Sequence, residues 1–323
     1  MPTTYTTAIL ITGGTSGLGW HTALNLAHTS PPTTLLILAS RSAPAAPLPS
    51  PHTKYLALDL SSAAGVQAFV KTWSTCSYPS ISALILNAGL QFLGPPSFSP
   101  DGYENTFAIN HLGNAHLYYR LLAGGFLAPT ARIILVGSQT HSPAAKTGLP
   151  DAYYATAEAL AHPGPEKKEV AQTGNGRQRY GTSKLCNLLW AYALKRRLGK
   201  APEGQRKSVL VFNPGLMPGT GLARAAPAWQ VWIWKRVLPR LVPLLRVVVS
   251  KDVHTQEESG RNLAGLVGKV VGEGEGLYFE NNGVGLETSK DSLVEAKQED
   301  LWTWTVKAVA KDEGEREVFE RGW

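Results

Sequence analysis

The chain has 323 residues, 43% apolar and only 17% charged, which excludes a disordered or fibrous protein and leaves a packed globule that needs no staples. Its two cysteines, Cys76 and Cys186, cannot form a disulfide framework and have no C-x-x-C companion; this argues against secretion and a structural zinc site, and for a reducing, cytoplasmic setting. The net charge of +7 is polarised: residues 1–251 hold 23 Lys and Arg against 8 Asp and Glu, whereas residues 252–323 hold 8 against 16.

Apolar, β-rich runs alternate with helical patterns from the start of the chain. Strands are expected at 8–12, 34–40, 54–58, 83–86, 132–137, 208–212 and 277–280, and helices at 17–28, 62–73, 101–122, 179–198, 256–267 and 292–310. Such alternation predicts βαβ units and an α/β, doubly wound, seven-stranded parallel sheet with helices on both faces, built as one domain over 1–323. The first apolar run, 8–11, is too short for a signal-peptide core and leads straight into glycines, so the N-terminus reads as mature structure.

Three segments break the rhythm. Residues 42–51, rich in Pro, Ala and Ser, read as a surface loop. Residues 139–178, with Pro143, Pro150, Pro163 and Pro165, form an insertion longer than an ordinary connection. Residues 222–251 carry six cations (Arg224, Lys235, Arg236, Arg240, Arg246 and Lys251) and no acid, interleaved with Trp229, Trp232, Trp234 and aliphatics. With its prolines and charges, that stretch is not a membrane span. It does not suit nucleic acid either, because its cations alternate with core-type aliphatics and no reading module is present.

The sharpest motif is Thr12-Gly13-Gly14-Thr15-Ser16-Gly17-Leu18-Gly19, which follows the first strand and opens the first helix. Glycines there permit a tight turn and close approach to a pyrophosphate, while the helix start favours the anion. The cofactor's 2′ group is read at the end of the second strand. An acid there would bind the ribose hydroxyl of NAD, but the chain has Ser40-Arg41, and a guanidinium suits the 2′-phosphate of NADP.

The Gly-x3-Gly-x-Gly spacing resembles the short-chain dehydrogenase/reductase family, and further matches follow in order: Asp59-Leu60, Asn87-Ala88-Gly89, Asn110, Ser138, Tyr180-x3-Lys184 and Asn213-Pro214-Gly215. The resemblance implies NADP(H)-dependent oxidoreduction of CH–OH or C=O groups on a Rossmann-type sheet. It assigns cofactor contacts to Gly13, Thr15, Ser16, Gly17, Leu18 and Gly19 in the first turn, to Ser40 and Arg41, and to Asp59 and Leu60 beside the adenine. Asn87, Ala88, Gly89, Pro214, Gly215 and Thr220 complete the set, together with Asn110, Tyr180 and Lys184. No metal is implied.

Tyr180 and Lys184, four apart on an expected helix, project from one face. A neighbouring ammonium and an oxidised nicotinamide both favour phenolate, which suits Tyr180 to general acid–base work. Ser138 is then expected to hold the substrate oxygen, Lys184 the nicotinamide ribose, and Asn110 a water passing protons to Lys184. Beyond the core motifs, residues 216–224, 180–187, 256–260 and 299–304 resemble the light-dependent protochlorophyllide reductase branch, with retinol dehydrogenase-like members next. Leu216 stands where that branch has a cysteine, and Gly89 is a glycine that it normally lacks, so chlorophyll chemistry is not expected. What the resemblance carries over is the long 139–178 segment and a substrate lid over 222–251.

A Trp-rich lid predicts a bulky, apolar or aromatic small-molecule substrate. Its competitor is a membrane-surface helix, because Trp beside Arg and Lys also marks interfacial segments, and the two can coexist. Carbonyl reduction or its reverse is the leading function. The alternatives are NADPH-dependent reduction of a conjugated C=C, a catalytically silent NADP-binding protein, and a membrane-surface interaction protein. Oligomeric state stays open between the family's dimers or tetramers and a lid-capped monomer.

Overall fold

Alternate residues of each central strand go to opposite faces of one sheet: Ala8, Leu10, Leu35 and Ile37 enter one core, Ile9, Ile11, Leu36 and Leu38 the other. Strands buried on both faces read as unbroken apolar runs, and that is the pattern of a parallel sheet covered on both sides. The structure is a computed structural model that describes residues 4–164, 176–221, 228–269, 276–280 and 283–323. Its sheet has the order β3-β2-β1-β4-β5-β6-β7-β8. The parallel strands are β1 (Thr7–Thr12), β2 (Thr34–Ser40), β3 (Thr53–Ala57), β4 (Ile81–Leu86), β5 (Leu127–Val136), β6 (Ser208–Phe212) and β7 (Tyr278–Glu280).

The eighth strand corrects the seven-stranded expectation. β8 (Val284–Leu286) is a three-residue strand that pairs antiparallel with β7 at the sheet edge. It escapes sequence reading because Val-Gly-Leu is too short for any period and half exposed.

Two helices, α1 (Gly17–Thr29) and α5 (Gln256–Gly268), cover one face, and they approach closely because Gly260 has no side chain: a Cβ there would lie 2.5 Å from the Cβ of His21. The other face carries α2 (Ala63–Thr75), α3 (105–123), α4 (Gly176–Leu198), α6 (Glu295–Val309) and α7 (Glu313–Arg321). Helix α3 starts at Asn105 rather than 101, where Glu104 accepts from the Phe107 amide at 2.9 Å and caps it. The same carboxylate pairs with Arg179 at 3.2 Å, both buried, and so ties the start of α3 to α4 one residue before Tyr180.

Helix α7 lies outside the sequence expectations, although Asp312 caps its start and Gly322, at φ 77°, ends it. Its charge suggests a solvated segment, yet Phe319 is fully buried and stacks on Tyr119 at 4.8 Å beside the stacked pair Trp190–Trp302. Of the expected 139–178 insertion, residues 165–175 lie outside the described residues, as do 222–227 of the expected lid, including Leu222 and Arg224.

Candidate active site

Strand order reverses beside β1, since the chain crosses from β3 past β2 and β1 to reach β4. The loops leaving the carboxyl ends of β1 and β4 therefore diverge and open a crevice, the place where such sheets hold ligands. A cleft of about 1080 Å³ lies there. Gly13, Thr15, Ser16, Gly17 and Leu18 line it from the first turn, Ser40 and Arg41 from the end of β2, Asp59 and Leu60 after β3, and Asn87, Ala88 and Gly89 after β4. Pro214, Gly215 and Thr220 line it after β6.

The glycine turn is held by what surrounds it. Gly13, at φ 65°, donates its amide to Ala39 O at 2.7 Å, while Asn87 Nδ2 donates to Thr12 O at 2.8 Å and Ala88 N to Thr12 Oγ1 at 2.9 Å. Gly19 does not line the cleft. A Cβ there would stand 2.4 Å from Gly13 O, so it is glycine for packing of α1 against the turn. Ser16 precedes α1 without capping it through its side chain, which leaves the first amides of the helix to a ligand. At the far end of the cleft, Asp59 is set by Ser61, whose amide and hydroxyl donate to its Oδ1 at 2.9 and 2.7 Å. Arg41 is exposed, and among the described residues nothing pairs with its guanidinium. Glycines where a Cβ would clash and an uncapped helix start fit a dinucleotide's pyrophosphate, and an unpaired cation stands at the end of β2.

Ser138, Tyr180 and Lys184 line the other half of the cleft. Ser138 stands two residues after β5 and accepts from Thr140 N at 3.3 Å and Thr140 Oγ1 at 3.0 Å, and it lies near enough to the Tyr180 hydroxyl to lower its pKa. Its turn is anchored by His141, whose Nε2 accepts from Ser289 N at 3.2 Å. An amide only donates, so Nδ1 carries the imidazole proton and gives it to Ser138 O at 2.6 Å. Lys184 Nζ donates to Val136 O at 2.9 Å and lies 5.6 Å from the centre of the Tyr180 ring.

Asn110 sits differently from the expectation. It is fully buried in the π turn Ala108–Leu112 of α3 and does not line the cleft. Its Oδ1 accepts from Leu90 N at 2.7 Å, and its Nδ2 donates to Leu90 O at 2.8 Å and Ser183 Oγ at 2.9 Å. Both amide protons of Asn110 are engaged, so it braces the Leu90 backbone from beneath.

The electrostatics also depart from expectation. Burial pushes the Tyr180 hydroxyl up to about 12, and the nearby Ser138 hydroxyl recovers only part of that; the Lys184 ammonium, turned toward Val136 O, does not offset it. Burial also brings Lys184 down to about 8. A cation whose folded value lies below its unfolded value of 10.5 weighs on the fold at neutral pH, because between about 8 and 10.5 the unfolded chain binds the extra proton and stability rises with pH. Urea unfolding should therefore show wild type gaining about 2 kcal/mol from pH 7.5 to 9.5 relative to Lys184→Met. Equal slopes in the two proteins would remove Lys184 as the buried charge.

Some cleft residues are not singled out one by one in the sequence, although the segments that carry most of them are. Asp252 reaches it because Leu216 N donates to Asp252 O at 2.8 Å and His254 N to Leu216 O at 3.0 Å, a parallel bridge joining segments distant in sequence. Lys146, Leu149 and Arg177 come from the 139–178 segment, and Trp234, Val249 and Ser250 from the lid. Asn114, deep behind the turn, accepts from Thr12 Oγ1 at 3.1 Å and donates to Ala88 O at 3.1 Å, so it joins the ends of β1 and β4. Its place four residues after Asn110, on the same helix face, is the signal that could have found it.

A family model described as short chain dehydrogenase matches residues 7–161. The chain is 31% identical over 317 residues to the WW domain-containing oxidoreductase of Drosophila melanogaster, covering 94% of this chain and 68% of that one. It is 28% identical over 328 residues to protochlorophyllide reductase A, chloroplastic, of Oryza sativa subsp. japonica, covering 93% and 80%. Among solved structures, the Thermoplasma acidophilum aldohexose dehydrogenase shares the fold with a TM-score of 0.55 at 16% identity, over 88% of this chain and 98% of that one. A Pseudomonas aeruginosa RhlG/NADP active-site complex does so with a TM-score of 0.52 at 19% identity, over 82% and 90%.

Proposed function

This chain belongs to the short chain dehydrogenase family of oxidoreductases, and from that membership we propose that it is an NADPH-dependent reductase of a carbonyl on a bulky, apolar or aromatic small molecule. The reverse oxidation uses the same groups. The observation that carries the reading is one cleft lined both by the glycine turn with Arg41 and by Ser138, Tyr180 and Lys184.

The first turn and the uncapped start of α1 hold the pyrophosphate, Arg41 and Ser40 the 2′-phosphate, and Asp59 and Leu60 the adenine. NADPH bound there supplies the hydride to the carbonyl carbon. Tyr180 gives its hydroxyl proton to the carbonyl oxygen while Ser138 Oγ holds that oxygen in place. With its pKa pushed up to about 12, Tyr180 is protonated throughout the neutral range, as a proton donor for reduction must be. Lys184 holds the nicotinamide ribose and carries the positive charge that the phenolate needs once its proton has left. Trp234, Leu216, Met217, Leu149 and Leu93 supply the greasy wall of the substrate half. The free cysteines fit a reducing, cytoplasmic setting.

A second reading, reduction of a conjugated C=C, is favoured by the similarity to protochlorophyllide reductases and keeps Tyr180 as donor, with the proton delivered to carbon. Titration of NADPH and NADH into the purified protein, then NADPH oxidation with a panel of bulky ketones, aldehydes, quinones and enones, separates the two. Tight NADPH binding with turnover of ketones or aldehydes is the expected outcome. Turnover of enones alone selects the second reading, and absence of nucleotide binding overturns both.

A further inference from the structure

The described stretch 228–253, after β6, has two unlike faces. Its root is fixed by the bridge between Leu216 and Val253 and by Arg246, whose Nε donates to Val253 O at 2.7 Å and whose guanidinium pairs with Glu258. Val242 is buried, and Trp234 Nε1 donates to Thr220 O at 3.1 Å. The outer face is the reverse of a core: Trp229 and Trp232 are 64% and 61% exposed, Leu244 57%, Val247 85% and Val248 72%. The same stretch carries the exposed cations Lys235, Arg236, Arg240 and Lys251, and the sequence from 222 to 251 contains no acid.

We propose that this outer face docks on an anionic lipid surface. Five large apolar side chains left exposed along one short stretch of chain call for a partner. Exposed tryptophans and aliphatics interleaved with cations, on short helical segments, are the chemistry of a segment lying in the headgroup layer. No described helix is long and apolar enough to cross a membrane, so the segment lies on the lipid rather than through it. Four cations without one acid match a diffuse negative surface better than a protein face of mixed charge.

Docking has a consequence for the site, and this part rests on the proposed apolar substrate. Trp234, Val249 and Ser250 of the same excursion line the cleft, so a docked excursion would set the mouth of the cleft beside the acyl layer, from which a greasy substrate enters without crossing water.

The test is co-sedimentation of the full chain with vesicles of phosphatidylcholine alone or mixed with phosphatidylserine, at low and high salt, with NADPH binding and thermal unfolding measured on the same preparations. Wild type should pellet with the anionic vesicles and be partly released by salt. Lys235→Ala/Arg236→Ala should lower partition by roughly thirty-fold, and Trp229→Ser/Trp232→Ser or Val247→Ser/Val248→Ser by more than about tenfold, with unfolding unchanged. Wild type remaining in the supernatant at low salt would overturn the proposal, as would variants that pellet like wild type. Dissociation of a dimer by the same variants would assign the face to a second copy and also overturn it. Because NADPH binding is read separately, loss of docking with nucleotide binding intact sinks this inference alone.

Discussion

Tyr180→Phe is expected to lower kcat by about 10²- to 10⁴-fold, the range a positioned general acid contributes, while leaving NADPH affinity within about twofold. The ring stays, and with it the packing of α4 against the cleft; what goes is the hydroxyl that carries the proton. Steady-state turnover on the best substrate from the ketone and aldehyde panel, alongside fluorescence titration with NADPH, gives both numbers. Retained turnover would mean that another group supplies the proton. The high value of Tyr180 adds a directional consequence. Reduction needs the protonated form and should be level across neutral pH, whereas alcohol oxidation needs the proton removed and should climb with pH toward about 12.

Arg41→Ala should weaken NADPH by about 10- to 100-fold, the value of one hydrogen-bonded charge on a phosphate, and leave NADH nearly unchanged. The prediction rests on position: the guanidinium stands at the cleft's edge after β2 with no partner among the described residues, so it is available to a ligand. Because Arg41 is exposed, the preference for NADPH should also shrink as salt rises. Equal loss of both nucleotides would make Arg41 a bystander and return the choice of cofactor to other residues.

Much of the site is legible in the sequence because its parts are local. A glycine turn needs only its own residues and the strand and helix that flank it, and Tyr180 and Lys184 share a face by helical geometry alone. The buried strands announce themselves as apolar runs because both of their faces are covered. The same locality explains the misses. β8 is too short for a period, and α7 hides a single anchoring Phe319 among charges, so neither has a signal until the rest of the fold supplies the surface that it packs on.

By itself, the sequence determined the parallel sheet, the order of its motifs and which side chains stand at the ends of its strands, since each follows from a period or from a turn a few residues long. Tertiary structure alone decided what those side chains do with their polar groups. Whether Asn110 faces the cleft or the Leu90 backbone, whether Lys184 lowers Tyr180 or turns to Val136 O, and which residues of the 228–251 excursion face inward all depend on contacts between distant segments. Burial sets the protonation of Tyr180 and Lys184 for the same reason: the cost of charge is fixed by how much protein surrounds a group, and no neighbour in sequence reports that.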